Sequence, residues 1–258
     1  MKNLFDLTGK IAVITGASAG LGADAALAFA QQGADVAILA RRVEKLQNVK
    51  KDVEAFGRRV VAVGCDVADE TSVQQAVASV KNEFGKIDIL LNNAGVAVRG
   101  SVESMTDAEW DKSFNTNVKG IFHMCKYVIP GMVEQKYGKI INIASVNAAV
   151  ADKGAEFIRH SYNASKAAVL GLTLGMAATY AQHNITVNAV GPGLFESEMT
   201  ADTLFKSEQF LKGYDYLNPS SRPGMHGELN GTLIYLASDA SSYVQGQFIL
   251  VDGGFTLV

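Results

Sequence analysis

The chain has 258 residues, with 23 Lys and Arg against 26 Asp and Glu, so its formal net charge is −3. This mild acidity, with no basic stripe along the chain, argues against nucleic acid as a partner. No apolar run approaches the roughly 20 residues that span a bilayer, and residues 1–10 lack the apolar core of a secretion signal, so we expect a cytoplasmic protein without membrane contact.

Seven short runs rich in Ile and Val predict strands, at residues 10–15, 36–40, 60–64, 87–91, 139–144, 185–190 and 248–251. Segments with helical apolar spacing lie between them, among them residues 23–32, 72–84, 108–133 and 162–181. This alternation is typical of parallel strands joined by right-handed crossovers in a sheet covered on both faces. Because no linker or repeat marks a boundary, we expect one doubly wound, Rossmann-like α/β domain over residues 1–258.

Residues 194–227 depart from the alternation. This stretch mixes aromatic side chains, such as Phe205, Phe210 and Tyr214, and Met199 with prolines, serines and glycines. We expect it to form a small helical lid over a substrate site.

Few residues are available for redox or metal chemistry. The cysteines Cys65 and Cys125 are far apart in apolar surroundings, which suits buried thiols in a reducing compartment. The four histidines have no metal-ligand spacing, and we expect no metal site.

A glycine-rich turn follows the first predicted strand and opens an alanine-rich helix. Its glycines allow a tight turn close to a pyrophosphate at the helix N-terminus, although the spacing G-x-x-x-G-x-G departs from the usual dinucleotide fingerprint. A purely steric role at the strand-to-helix junction is the alternative. The residues of this candidate cofactor turn are Gly16, Ser18, Ala19, Gly20, Leu21 and Gly22.

The second predicted strand ends in Ala40, followed by Arg41 and Arg42. A protein that binds NAD normally carries an acid here for the adenosine ribose hydroxyls. Ala40 removes that carboxylate, and two planar guanidinium groups suit a 2′-phosphate. The pattern predicts NADP(H) as the cofactor, against the alternative of two solvated arginines at a helix start.

Motifs in a fixed order along nearly the whole chain resemble the short-chain dehydrogenase/reductase family. They are Thr15 to Gly22, Cys65-Asp66-Val67, Asn92-Asn93-Ala94-Gly95, Asn117, Ser145, Tyr162-x-x-x-Lys166, Asn188, Pro192-Gly193 and Val251-Asp252-Gly253-Gly254. Within the family the C-terminal motifs look most like gluconate 5-dehydrogenases, and the overall pattern also looks like 3-oxoacyl-carrier-protein reductases.

The resemblance implies a role for each further site residue. Asp66 and Val67 would flank the adenine, and Asn93 and Gly95 would line the adenosine side. The nicotinamide end would be held by Pro192, Gly193, Phe195 and Ser197, with Tyr162 and Lys166 touching both cofactor and substrate.

The candidate catalytic residues are Asn117, Ser145, Tyr162 and Lys166. Positions four apart on a helix are neighbours, so the Lys166 ammonium can favour the ionised form of the Tyr162 phenol. Tyr162 would then exchange a proton with the substrate oxygen, and Ser145 would hydrogen-bond that oxygen. The resemblance assigns Asn117 to a helix kink and a proton relay through water to Lys166.

Two features depart from the family pattern. Ser145 and Tyr162 are 17 positions apart, about four more than is usual, and the additional residues fall within 152–160. Ala19 stands where many NADP-preferring relatives carry a basic residue. The longer segment adjoins the expected substrate site. Without a basic residue at position 19, Arg41 and Arg42 would have to hold the 2′-phosphate alone.

These observations predict an NADP(H)-dependent alcohol dehydrogenase or ketone reductase, with a slight preference for a sugar acid or polar keto substrate. Lys153, Arg159 and His160 in the longer segment favour an acid, but Asp152 and Glu156 stand among them, and such a mixed run of charges also suits a solvated loop. The aromatic residues of the lid favour a hydroxysteroid or 3-oxoacyl substrate. A non-catalytic NADP-sensing scaffold is the alternative from another class. The resemblance also implies a homotetramer, formed by helices 108–133 and 162–181 and an apolar tail at 255–258.

Overall fold

The computed structural model describes residues 3–151, 154, 157–197, 200 and 204–258. Asp152, Lys153, Glu156 and Met199, which entered the substrate and lid expectations, lie outside the described residues. None of the helices in the described part of the chain has the length and apolar character needed to cross a bilayer.

Seven strands form a single parallel sheet, as the sequence predicts. Their bounds are β1 Ile11–Thr15, β2 Asp35–Ala40, β3 Val60–Gly64, β4 Ile89–Asn92, β5 Gly138–Ile143, β6 Ile185–Pro192 and β7 Phe248–Val251. The strands pair in the order β3-β2-β1-β4-β5-β6-β7. In register, Ala12 of β1 lies opposite Val36 of β2 on one side and Ile89 of β4 on the other.

Eight α-helices connect and cover these strands in the described residues. They are α1 Gly20–Gln31, α2 Val43–Glu54, α3 Glu70–Phe84, α4 Asp107–Phe114, α5 Gly120–Gln135, α6 His160–Tyr180, α7 Glu208–Leu217 and α8 Asn230–Ala237. The predicted doubly wound α/β fold is therefore confirmed.

Two apolar cores lie on opposite faces of the sheet because successive strand residues point to opposite sides. Ile14 of β1 packs with Phe29 of α1 and Leu233 of α8, whereas Val13 packs with Met124 of α5 and Val169 of α6. Both faces of the central strands are covered, which explains their continuous apolar sequence.

One predicted helix is divided. Residues 108–133 were expected to be continuous, but a π-helical turn at Asn115–Lys119 separates α4 from α5. Asn117 lies in this turn and is 1% exposed. The interruption agrees with the kink that the family resemblance implies at this asparagine.

In the described part of residues 194–227, the expected lid contains one helix, α7, which Ser207 caps by accepting a hydrogen bond from the Phe210 N–H at 3.2 Å. Aromatic contacts join α7 to two other parts of the chain. Phe210 lies 5.0 Å from Phe157 in the longer segment, and Tyr214 stacks on Phe255 at 5.2 Å between ring centres. The helix therefore packs between the segment before Tyr162 and the C-terminal tail.

Candidate active site

A cleft of about 480 Å³ opens at the carboxyl ends of the strands. The strand order reverses between β1 and β4, and ligands of open α/β sheets bind at such a point. Most predicted site residues line this one cleft: Gly16, Ser18, Ala19, Gly20, Leu21, Arg41, Arg42, Asp66, Val67, Asn93, Gly95, Ser145, Tyr162, Lys166, Pro192, Gly193, Phe195 and Ser197.

The glycine-rich turn forms a cradle that side chains would fill. Gly16 and Gly20 have φ angles of +66° and +54°, which favour glycine. A Cβ atom at Gly22 would stand 2.5 Å from the Gly16 carbonyl oxygen. Ala19 provides no side-chain cap for α1, so the turn presents backbone N–H groups at the positive end of the helix.

Asn93 lines the cleft and also stabilises the glycine-rich turn through hydrogen bonds. Its side-chain amide donates to the carbonyl oxygens of Thr15 at 2.9 Å and Gly16 at 3.1 Å. Its backbone N–H donates to Thr15 Oγ1 at 3.0 Å. The shape of the turn therefore depends on the end of β4 as well as on its own glycines.

The far end of the cleft carries the two arginines. Ala40 is buried at the end of β2, and Arg41 and Arg42 follow it with exposed side chains. Asp66 accepts a hydrogen bond from the Ala68 N–H at 3.0 Å, which fixes the loop after β3. A phosphate at this end would meet guanidinium groups, and no acidic side chain replaces Ala40 at the strand end.

Cys65 also lines the cleft, a position that the motif analysis did not assign to the site. Burial raises the pKa of its thiol to about 11. Burial likewise raises the pKa of the Cys125 thiol to about 12. Neither cysteine is in a disulfide, and because both pKa values lie far above 7 the two thiols stay protonated at neutral pH.

Tyr162 and Lys166 occupy successive turns near the start of α6. The Lys166 ammonium lies 5.7 Å from the centre of the Tyr162 ring and donates to the Ile143 carbonyl oxygen at 2.7 Å. Lys166 is only 4% exposed, and its burial lowers the ammonium pKa to about 8. Because this value lies above 7, the ammonium stays mainly charged at neutral pH.

Ser145 follows β5 and is held by Asn147. The Asn147 N–H donates to Ser145 Oγ at 3.1 Å, and the Ser145 hydroxyl donates to Asn147 Oδ1 at 3.5 Å. Asn163 of α6 donates to the Asn147 carbonyl oxygen at 3.1 Å. These two asparagines were not predicted from the sequence, although a serine directly after a strand often accepts from the backbone N–H two residues later.

Asn117 does not line the cleft but lies behind it. Its side-chain oxygen accepts from the Val96 N–H at 2.8 Å, and its amide donates to the Val96 carbonyl at 2.9 Å and to Ser165 Oγ at 3.0 Å. A Cβ atom at Gly95 would stand 3.3 Å from Asn117 Oδ1 and 3.5 Å from Lys166 Nζ. Gly95 thus lets the asparagine and the lysine approach the same point.

The remaining edge of the cleft is formed after β6. A Cβ atom at Gly193 would lie 2.8 Å from Asp252 Cα, so the backbone there packs closely against the end of β7. Thr200, which the sequence analysis did not assign, accepts from the Ser197 N–H at 2.9 Å and donates to the Phe195 carbonyl at 2.8 Å. These bonds fix the loop at the start of the expected lid.

Comparison with known proteins agrees with this geometry. A family model described as enoyl-(acyl carrier protein) reductase matches residues 16–256. Gluconate 5-dehydrogenase of Gluconobacter oxydans (strain 621H) is 38% identical over 255 residues, which are 99% of this chain and 98% of that protein. A 3-oxoacyl-[acyl-carrier-protein] reductase of Thermotoga maritima is 36% identical over 97% of this chain and 99% of its own length.

A solved structure is also similar over nearly the whole chain. The gluconate 5-dehydrogenase of Burkholderia cenocepacia J2315, in complex with NADP and tartrate, superposes with a TM-score of 0.93 at 34% identity. The match covers 99% of this chain and 98% of that chain. Family model, relatives and structure together confirm what the ordered motifs indicate, and the chain belongs to the short-chain dehydrogenase/reductase family of oxidoreductases.

Proposed function

We propose that this chain is an NADP(H)-dependent oxidoreductase that interconverts a secondary alcohol and a ketone, with Tyr162 as the acid and base. The observation that carries the proposal is the buried, charged Lys166 beside Tyr162 in the same cleft as Ser145. A buried ammonium is costly, so its retention next to a phenol favours catalysis over a structural role.

The residues of the cleft suit a dinucleotide with a 2′-phosphate. The turn at Gly16 and Gly20 has no side chain to obstruct a pyrophosphate, and the uncapped end of α1 adds favourable N–H groups. Arg41 and Arg42 stand at the far end, beyond Ala40. The NADP in the structure of the Burkholderia relative supports the same choice of cofactor.

NADP(H), when bound, supplies or accepts the hydride. Tyr162 donates its phenolic proton to the substrate oxygen as a ketone becomes an alcohol, and removes that proton in the reverse direction. An ordinary phenol titrates near pH 10, so this exchange at neutral pH requires about 4 kcal/mol of stabilisation of the phenolate. A positive charge roughly 6 Å away supplies about 3 kcal/mol at an effective dielectric near 20. Lys166, whose ammonium lies 5.7 Å from the centre of the Tyr162 ring, can therefore supply much of this stabilisation.

Ser145 orients the substrate oxygen. Ser145 Oγ accepts from the Asn147 N–H, and its own hydrogen makes only a long bond of 3.5 Å to Asn147 Oδ1, which a substrate oxygen can replace as the acceptor. Asn117 positions the backbone at Val96 and the Ser165 hydroxyl behind Lys166. In this proposal the residues of the chain orient the substrate oxygen and exchange a proton with it.

For the substrate we propose a polar hydroxy or keto acid of the gluconate type. The similarity to gluconate 5-dehydrogenases over nearly the whole chain supports this choice. The buried aromatic rings of Phe195 and Tyr214 favour the second candidate, a 3-oxoacyl or other hydrophobic ketone, and the Thermotoga relative supports it.

Turnover of NADPH on a panel of ketones tests the proposal. The panel contains 5-keto-D-gluconate, a 3-oxoacyl thioester and a 3-ketosteroid, each with NADPH and with NADH. We expect NADPH oxidation with the keto acid at the highest kcat/KM. Binding of NADPH without turnover of any ketone would favour a cofactor-sensing scaffold instead.

A further inference from the structure

The loop after β3 forms the wall of the cleft next to the end of β2. The Cys65 N–H donates to the Ala40 carbonyl oxygen at 3.0 Å, so the loop begins beside that strand end. Cys65, Asp66 and Val67 line the cleft. The position of this loop therefore sets the space for the adenosine half of a dinucleotide whose 2′-phosphate lies at the end of β2.

His123 of α5 holds this loop from behind. Its Nδ1 lies 3.0 Å from the Val67 carbonyl oxygen, and both residues are buried. A carbonyl oxygen only accepts hydrogen bonds, so Nδ1 carries the hydrogen and donates it. The Val67 backbone is thereby tied to a helix that lies 56 positions later in the chain.

Gly120 allows α5 to pack directly against Val67. A Cβ atom at Gly120 would stand 2.8 Å from Val67 Cγ2 and 3.4 Å from the Val67 carbonyl oxygen. Positions three apart on a helix are neighbours, so Gly120 and His123 belong to the same face of α5. This face holds the valine both by packing and by a hydrogen bond.

Packing alone does not explain the imidazole of His123. Its other nitrogen, Nε2, is buried and has no hydrogen-bond partner among the residues that the structure describes. A buried polar atom without a partner costs stability, and an apolar side chain of similar size would avoid that cost. The contribution that distinguishes the ring is the donor to Val67.

Asn117 provides a parallel in the turn that precedes α5. Its side chain bonds to the backbone of Val96, a cleft residue on the loop after β4. His123 bonds in the same way to the backbone of a cleft residue on the loop after β3. Side chains of one helical region therefore fix two of the loops that line the cleft.

We infer that His123 is a positioning residue for the adenosine half of NADP(H) and acts through the Val67 backbone. It contributes to cofactor affinity and has no part in the proton transfer, which belongs to Tyr162 and Lys166 on α6. The inference rests on the proposed function, because it assigns part of the affinity of that same site to one residue outside the cleft.

Adenosine 2′,5′-bisphosphate is the probe for this inference, because it carries the adenine and the 2′-phosphate without the nicotinamide. Calorimetric titration measures its dissociation constant, and steady-state kinetics on a ketone that the wild type reduces give kcat and the KM for NADPH. His123→Leu removes the donor at similar size, whereas His123→Asn keeps an N–H donor close to the backbone. Val128→Ala, at another buried position of α5, is the control for lost packing.

We expect His123→Leu to weaken bisphosphate binding and to raise the KM for NADPH, each by about 5- to 20-fold. The reason is that only a fraction of the molecules would then hold the loop in the binding position. The kcat should stay within about twofold, because the lost interaction is the same in ground and transition states. His123→Asn should recover most of the affinity, and Val128→Ala should bind the bisphosphate as the wild type does.

Gly120→Ala tests the same loop without removing the donor. Its Cβ atom would push against the Val67 side chain, so we expect bisphosphate affinity to fall by at least about fivefold. This variant carries the test if His123→Leu does not fold. Thermal unfolding of each variant establishes that it is folded.

Three results would overturn the inference while leaving the proposed function intact. They are unchanged bisphosphate affinity in either His123→Leu or Gly120→Ala, an equal loss of affinity in Val128→Ala, and no recovery in His123→Asn. The first would show that binding does not depend on the position of the loop, and the other two would give His123 a packing role. A wild type that binds neither NADPH nor the bisphosphate would instead contradict the proposed function.

Discussion

Lys166 carries a positive charge that the proposed proton transfer requires, although its buried position disfavours that charge. Burial lowers its pKa to about 8, whereas a lysine in an unfolded chain titrates near pH 10.4. Below about pH 8 both states are protonated, and the folded state bears the full cost of the buried charge. Between about pH 8 and 10.4 the unfolded chain binds more protons, so this lysine makes stability increase with pH.

We predict that Lys166→Met is inactive yet more stable than the wild type at pH 7. The lowered pKa of Lys166 corresponds to a cost of about 3 kcal/mol in folding stability, which the substitution removes. Loss of the hydrogen bond to the Ile143 carbonyl oxygen offsets roughly 1 kcal/mol of this gain. Denaturant unfolding at several pH values measures the gain, which should shrink above pH 8. Lys139 is also buried, with its pKa lowered to about 8, so part of the pH slope persists in the variant. A variant less stable than the wild type at pH 7 would contradict this account.

A pair of glycine substitutions tests the cofactor cradle. Gly22→Ala would bring a Cβ atom 2.5 Å from a backbone oxygen, so we expect at least a tenfold weaker NADPH affinity and a loss of about 1–3 kcal/mol of stability. Gly231→Ala in α8 meets nothing within 4 Å and should leave affinity unchanged while stabilising the helix by up to about 1 kcal/mol. Fluorescence titration with NADPH and chemical unfolding measure both effects. Equal NADPH affinity in the two variants would argue against close packing at Gly22.

The residues that sequence could identify are those whose chemistry depends on local spacing. Tyr162 and Lys166 lie one helical turn apart, and that relation follows from four positions of sequence. Asn163 was missed because its bond to the Asn147 carbonyl oxygen joins α6 to the turn after β5, 16 positions earlier in the chain. Its partner therefore depends on tertiary packing.

The end of β2 governs the choice between NADP(H) and NAD(H) in this account. We predict that the wild type prefers NADPH and that Ala40→Asp combined with Arg41→Ile reverses the preference. The new carboxylate would repel a 2′-phosphate and accept hydrogen bonds from a ribose diol, while one guanidinium is lost. The ratio of kcat/KM for the two cofactors measures the change. A wild type that uses NADH equally well would contradict the prediction.

Strand positions were predictable to within two residues because buried parallel strands leave continuous apolar runs. The π-helical turn at Asn115–Lys119 was not predicted from helical periodicity. The Asn117 side chain bonds to the backbone of Val96, in a loop 21 positions earlier, and this contact leaves no pattern in the local sequence. Apolar spacing alone therefore predicted one helix where two are present.

At the scale of the whole molecule, the single chain exposes apolar side chains that an assembly would bury. Leu257 and Val258 of the tail are 82% and 84% exposed, and Phe122 of α5 and Leu174 of α6 are about half exposed. We predict a homotetramer in which these helices and the tail lie between subunits. Light scattering at micromolar concentration measures the mass, and a stable monomer would refute the assembly. The single-domain organisation also stays a prediction, and one cooperative unfolding transition would support it.

The central claim is that Tyr162 transfers the proton in an NADPH-dependent reduction. The most direct test compares NADPH turnover on a ketone that the wild type reduces with turnover by Tyr162→Phe at equal NADPH saturation, with Tyr180→Phe at the other end of α6 as the control. We predict that Tyr162→Phe loses about 10²- to 10⁴-fold in kcat while its NADPH dissociation constant stays within about threefold, because the hydroxyl acts mainly in the transition state. Tyr180→Phe should behave as the wild type. Near-normal turnover by Tyr162→Phe would show that another group supplies the proton and would contradict the account.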